Sequence, residues 1–368
     1  MRYRIPAGTI LAPGGYLVST GTNSFELGAS GFVLSEYGEQ VYLFSGNATT
    51  NLTGYYHGFD FGAAPNGVSF GRYLTSQGQE HFVLQSTNTP GTNNAPPRVG
   101  PIVISEIMYH PPDIGGADDY LDEYLELHNI TATNVPLYCT FTNEIGYGLA
   151  AVTNTWHLRN AVDYDFPTNA TVAAAGRLLV TSFDPVANPA QLAAFRALYN
   201  VATNVPIFGP WSGKLDNGGE TIELKRPDKP DVGSTNVTVP YVLVEQIDYQ
   251  PGAPWPANAD GLGASLQRLV LHAYGNDPTN WVAALPSAGS LNASSPPPVI
   301  TVISRPGVSV SIGMTAAPGL TYQLEYKNDL RDAAWTPLPP PLPAGATTLI
   351  LTDTNSPATQ RFYRVRAQ

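Results

Sequence analysis

The chain has 368 residues, 43% hydrophobic and 13% charged, a length that suits two or three domains with packed cores. Its formal net charge is −11, whereas nucleic-acid binding through phosphates needs a basic surface. The 35 glycines and 34 prolines, beside so few charges, point to a β-rich chain with many turns, and the lone Cys139 excludes an internal disulfide or a cysteine zinc site.

The opening "MRYRIPAGTILAPGGYLV" lacks the continuous apolar core of a signal peptide. No stretch reaches the roughly 20 apolar residues of a membrane helix. Four blocks then read as strands, with alternating apolar residues bounded by Gly, Pro or Asn. They are "IPAGTILAPGGYLV" (5–18), "YGEQVYLF" (37–44), "GFDFG" (58–62) and "NGVSFGR" (66–72). All four return in the same order as "FPTNATVAAAGRLLV" (166–180), "GGETIELK" (218–225), "QIDYQ" (246–250) and "DGLGASLQR" (260–268). The chain therefore holds an internal repeat.

"GVSFG" around Ser69 matches the nucleophile-elbow pattern, which needs a helix after the serine. The next residues, "FGRYLTSQGQEHFVL" (70–84), are strand-like instead. The second copy keeps Ser265 but puts Gln267 at the final glycine, so the serine reads as structural. Pro-rich "NNAPPRVG" (93–100) separates the two copies.

The second copy opens on "VISEIMYHP" (103–111) and "DEYLELHN" (122–129), joined by an acidic loop. The first copy has no counterpart to these strands. It is expected to be incomplete, either as a truncated piece or because another chain supplies the strands, and residues 1–95 alone are expected to be poorly stable. On the strand at 123–128, alternation puts Glu123, Leu125 and Leu127 on one face and Tyr124, Glu126 and His128 on the other. Glu126 and His128 are thus expected to face solvent. Glu106, Glu123 and Glu126 do not read as a glycosidase pair, which must flank a cleft. His110 and His128 lack zinc-site spacing. Asp113, Asp118, Asp119 and Asp122 are hard oxygen ligands suited to calcium, without EF-hand spacing. A solvated acidic loop is the competing expectation.

Between the first two blocks of the second copy, Asn188 caps and Pro189 starts a short helix over residues 189–199, with Leu192, Phe195 and Tyr199 on one face. Trp211 and Trp255 stand in Gly- and Pro-rich loops, as sugar-stacking platforms or packed on the core. "NASSPPP" (292–298) leads into a tail at 299–368 that reads as a small β-domain, with Trp335 as a core residue.

The quoted blocks, with "GKLDNGGETIEL" (213–224), "GASLQR" (263–268) and "GNDPTNW" (275–281), resemble the lamin-tail-domain family in its bacterial, multidomain form. The tail resembles fibronectin-III-like C-terminal modules. The resemblance implies tandem immunoglobulin-like β-sandwiches (1–95 incomplete, 101–292 complete) with one inserted helix and a small C-terminal sandwich. It implies no catalytic residues and no cofactor. It places such modules in secreted or cell-surface proteins, beside kinase-like spore-coat (CotH-like) domains or degradative enzymes. The expected role is a non-catalytic structural or adhesive module whose partner is a protein or polysaccharide at the cell surface. A carbohydrate-binding accessory region of a larger enzyme is the alternative. The long stretch after "DEYLELHN" departs from the family's short turn.

Overall fold

The structure is a computed structural model that describes residues 3–20, 32–49, 51–142, 151–229, 239–292, 300–316, 321–329, 331–332, 334–344, 348–357 and 360–367. The Pro-rich run at 293–298 lies outside the described residues. Strands form 44% of the described residues and helix 6%, so the fold is all-β.

The first copy contributes two hairpins. Strands β1 (Gly38–Gly46) and β2 (Leu52–Gly62) form one, and β3 (Phe70–Leu74) and β4 (Glu80–Leu84) form the other. The second copy begins with β5 (Ile102–Met108), β6 (Tyr124–Asn129), β7 (Val135–Pro136), β8 (Tyr138–Thr142) and β9 (Ala151–Thr155). Next come β10 (His157–Asn160), β11 (Val162–Asp165), β12 (Thr171–Val172), β13 (Arg177–Thr181) and the helix α1 (Pro189–Leu198). It closes with β14 (Ile207–Phe208), β15 (Ser212–Gly213), β16 (Glu220–Pro227), β17 (Tyr241–Tyr249), β18 (Ser265–Arg268) and β19 (Trp281–Ala284).

These strands build a six-stranded sheet in the order β14-β13-β6-β5-β18-β19 and a five-stranded sheet in the order β15-β11-β10-β16-β17. One core joins them. Ile104, Ile107, Leu125, Leu127 and Leu266 of the first sheet pack against Leu158, Ile222, Leu224 and Ile247 of the second. Each fully buried aliphatic side chain contributes roughly 1.5–3 kcal/mol.

The repeat is structural as well as textual. Glu39 pairs with Phe61 and Gln40 with Asp60, as Glu220 pairs with Tyr249 and Thr221 with Asp248. Even the side-chain bond recurs, Gln40 to Asp60 in one copy and Thr221 to Asp248 in the other. In the second hairpin Arg72 pairs with Phe82 as Arg268 pairs with Trp281. The first block departs from expectation. Residues 3–20 hold no strand, whereas Leu178–Val180 lie in β13. The reason is the partner: β13 pairs with β6 and β14, and among the described residues of the first copy no strand pairs with residues 3–20.

The inserted helix forms as expected, with Pro189 in its first turn. Asn188 sits at the N-cap position but makes no side-chain cap bond. Asp184 instead accepts from the Val186 and Ala187 amides just ahead of the helix. Phe195 is the helix's buried residue, and it packs with Met108, Tyr124 and Leu179 on the far side of the six-stranded sheet. That sheet is therefore covered on both faces.

The tail contains β20 (Ile300–Ser304), β21 (Val310–Thr315), β22 (Thr321–Lys327), β23 (Thr336–Pro343), β24 (Thr348–Asp353) and β25 (Phe362–Ala367). They form two three-stranded sheets around Ile312, Met314, Tyr322, Leu324 and Leu351. Trp335 is not part of that cluster. It is half-buried beneath Lys327 and Arg364, whose cations stand 5.3 and 4.6 Å from its ring centroid, a cation–π arrangement.

Candidate functional site

The acidic loop after β5 splits into two groups. His110, Asp113 and Asp118 bring one ligand atom each within 4.8 Å of one another. Two of the three are already engaged. Lys214 Nζ lies 2.7 Å from Asp118, and His110 Nδ1 lies 2.6 Å from Asp260. The Lys214 ammonium is also the leading reason that the Asp118 carboxyl is held below its usual range. Asp119 and Asp122 stand apart from this cluster. Asp119 accepts from the Leu121 amide, and burial first, then the neighbouring Asp119 carboxyl, pushes Asp122 up to about 7. The four aspartates thus divide into two groups, Asp113 and Asp118 beside His110 and Asp119 and Asp122 apart from it.

Glu126 and His128 depart from the solvent-facing expectation, since both are buried. The cause is the second layer on that face. Gly289 donates its amide to Glu126 Oε2 at 2.7 Å, and Ser105 donates its hydroxyl to Oε1 at 2.7 Å. Burial, followed by the charge of Glu106, pushes Glu126 up to about 8. Burial, followed by the Arg177 guanidinium, pushes His128 down to about 4.

Glu106 pairs across the ladder with Glu126. It accepts from the Tyr124 hydroxyl at 2.6 Å, the Ser265 hydroxyl at 2.5 Å, and the Ser287 amide and hydroxyl at 2.8 and 2.9 Å. Its orientation depends on a register shift between Ile104 and Glu106. This β-bulge moves the alternation by one place, so Ile104 and Ile107 both reach the core and Glu106 turns the other way. Glu123 is buried as well. Its Oε2 accepts from the Leu215 amide at 3.0 Å, its Oε1 has no partner, and burial pushes it up to about 8. A buried carboxylate without a full set of donors favours its neutral form.

Trp211 and Trp255 are buried in the core, so neither offers a ring face for a sugar to stack on. Trp255 packs on Trp281 at 5.9 Å between centroids. Their loops are polar, but the rings are the largest apolar bodies nearby, and burying them stabilises the sheet ends. Ser69 stands ahead of a strand, β3, and not of a helix. Its amide donates to Asn88 and its hydroxyl to Gln85, so both groups serve the hairpin.

A cleft of about 280 Å³ lies between the two copies, lined by Phe70, His81, Arg98, Arg226, Glu245 and Tyr274 among others. His81 Nδ1 stands 2.9 Å from the Tyr274 hydroxyl, and desolvation lowers the His81 pKa, which favours neutral imidazole. Glu245 is bound by Arg268 at 2.6 Å and by the Ile104 amide at 2.5 Å. Asp248 accepts from Thr221, Gln246 and Asn276. The polar groups of the cleft therefore join strands to one another. Sequence reasoning missed this joint because it is made by residues about 190 positions apart, as with His81 and Tyr274.

No family model matches the chain, and no curated protein matches it. Among solved structures, the crystal structure of a DUF4876 family protein from Bacteroides thetaiotaomicron is similar at 12% identity and a TM-score of 0.30, over 64% of this chain and 88% of that one. At that TM-score the likeness bears no functional argument.

Proposed function

We propose that the chain is a non-catalytic structural or adhesive module of a secreted or cell-surface protein, built from tandem immunoglobulin-like, lamin-tail-like sandwiches and a fibronectin-III-like end module. The observation that carries this reading is the use made of the buried acids. Glu106, the best-connected carboxylate, accepts from Tyr124, Ser265 and Ser287 and so pins the loop after β19 to the sheet. Glu126 does the same through Gly289. A general acid or nucleophile must reach its substrate, and these two carboxylates are fully buried. The burial of Trp211 and Trp255 withdraws support from the carbohydrate-accessory reading.

The test pairs two assays on the full chain. Fluorescently labelled protein is incubated with intact bacterial cells and insoluble polysaccharides, and unlabelled protein with a panel of chromogenic glycosides and esters. Saturable retention on surfaces without turnover is expected. Turnover that disappears in Glu106→Gln or Glu126→Gln overturns the reading.

A further inference from the structure

Two side chains of the cleft between the copies take no part in joining strands. The cleft's acids are fully engaged. Asp248 Oδ1 accepts from Thr221 and Gln246, and Oδ2 from Gln246 and Asn276. Glu245 Oε1 accepts from Arg268 and Oε2 from the Ile104 amide. The cleft's arginines, Arg98 and Arg226, are not matched in this way. Among the described residues no acceptor meets the Arg98 guanidinium. Arg226 has Asp228 alone, at a long 3.5 Å.

Both arginines have fixed roots. Arg98 donates its amide to the Leu84 carbonyl at the end of β4, at 2.7 Å, and Arg226 pairs with Val242 across the β16–β17 ladder. One is therefore anchored to the first copy and the other to the second. Unmet cations on a cleft, in a chain of net charge −11, call for an acceptor brought from outside. A carboxylate fits the guanidinium fork with two parallel bonds. Asp248 has only neutral donors around it, so its field opposes a dianion such as phosphate more than a singly charged carboxylate. The remaining lining is largely apolar. Phe70 stacks on Phe82 at 5.6 Å between centroids, and Val242 and Val244 line the same cleft. Its volume of about 280 Å³ is at the small end for ligand pockets and suits a single ring.

We propose that the cleft binds a hexuronic acid residue of an acidic polysaccharide, with the carboxylate held by Arg98 and Arg226 and the carbon face of the ring against the apolar lining. The bound ring bridges the two copies, because its two anchors belong to different ones. This inference rests on the adhesive-module reading and names the class of its partner.

The experiment uses the full chain with the methyl glycosides of glucuronic, galacturonic and mannuronic acids, each beside its neutral hexose counterpart. Binding is followed by isothermal titration calorimetry, and hydrogen exchange locates it. At least one hexuronide is expected to bind saturably, at least about tenfold tighter than its neutral counterpart. Exchange should slow at residues 81–84 and 242–246. Arg98→Gln and Arg226→Gln each weaken binding at least about fivefold. Arg331→Gln, at a 91% exposed residue of the tail, leaves it unchanged. Arg98 is exposed and has no ion pair among the described residues, so its variant keeps the fold, as circular dichroism checks. Failure of all three hexuronides to bind, equal binding of the neutral sugars, or binding undiminished in either cleft variant overturns the proposal. So does tighter binding of inorganic phosphate, or of an N-acetylated glutamate α-amide, than of any hexuronide, since the cleft is then a phosphate or acidic-peptide site. Retention on cell surfaces without hexuronide binding overturns this inference and leaves the module reading standing. Hexuronide binding without retention does the reverse.

Discussion

Arg268 and Glu245 form a buried ion pair, Nη1 to Oε1 at 2.6 Å, that ties the six-stranded sheet to the five-stranded one. The pair also holds the β5 bulge by its backbone, since Glu245 accepts from the Ile104 amide and Arg268 donates to the Ile104 carbonyl. Removing one partner strands the other charge without water. Arg268→Met is expected to cost about 3–5 kcal/mol in urea denaturation. Arg72→Met, at the half-exposed repeat position, is expected to cost less than about 1 kcal/mol. Equal losses at the two sites would refute the inter-sheet role.

Three buried groups, Glu123, Glu126 and His128, should make the second copy most stable near about pH 4.5 and weaken it progressively toward pH 8. Glu123 and Glu126 rise from an ordinary 4.5 to about 8 in the fold. The folded state then holds more protons than the unfolded one between those values, so this contribution is complete below about pH 4.5 and is lost as pH rises through about 8. His128 falls from 6.5 to about 4, so its contribution is present above about pH 6.5 and is lost as pH falls toward 4. Thermal midpoints measured from pH 3 to 9 should rise to about pH 4.5 and then fall, more steeply above about pH 6.5. Glu126→Gln flattens the alkaline limb, and His128→Gln flattens the acid limb. An unchanged alkaline slope in Glu126→Gln would show that this carboxylate is ionised in the fold.

Calcium should have little effect on stability. The Lys214 ammonium occupies the Asp118 carboxylate, and Asp260 holds His110. A titration to about 1 mM calcium is expected to move the thermal midpoint by less than about 1 °C. A larger rise, lost in Asp113→Asn, would assign the cation to the loop.

Residues 1–95 cut away from the rest are expected to melt without a cooperative transition. In the full chain Asp277 accepts from the Ser76 amide and hydroxyl at 2.8 and 2.5 Å, and Tyr274 contacts both Tyr73 and His81. Cutting removes those contacts and adds nothing over Val41 and Leu43. A sharp, high-temperature melt of the isolated monomer would refute the dependence.

Much of this architecture is legible in the sequence because the deciding signals are local. The Asn188–Pro189 pair and the spacing of Leu192, Phe195 and Tyr199 announce α1. Alternation in the repeated blocks gives β1, β2, β16 and β17. The misreading of Glu126 and His128 has a different origin. Alternation separates two faces of a strand but does not say that the second face is wet, and here α1 and the loop at 285–289 bury it. A signal was available in β5, where "IVISEIM" carries one charge in seven residues, as a strand covered on both faces does. The Ser105 bulge was not legible, because nothing in the residue order marks where a ladder slips. The loop tryptophans mislead in the same way, since a turn's polarity does not tell where its largest ring goes.

The joint between the two copies gives the chain a mechanical order. Among the described residues a single parallel bridge, Ala63 to Val242, connects their strands, supported by the Ser76–Asp277 bonds. The body beyond it is held by full antiparallel ladders and an inter-sheet ion pair. Under tension the first copy should detach while the second stays folded, releasing slack as a fuse does before the main circuit fails.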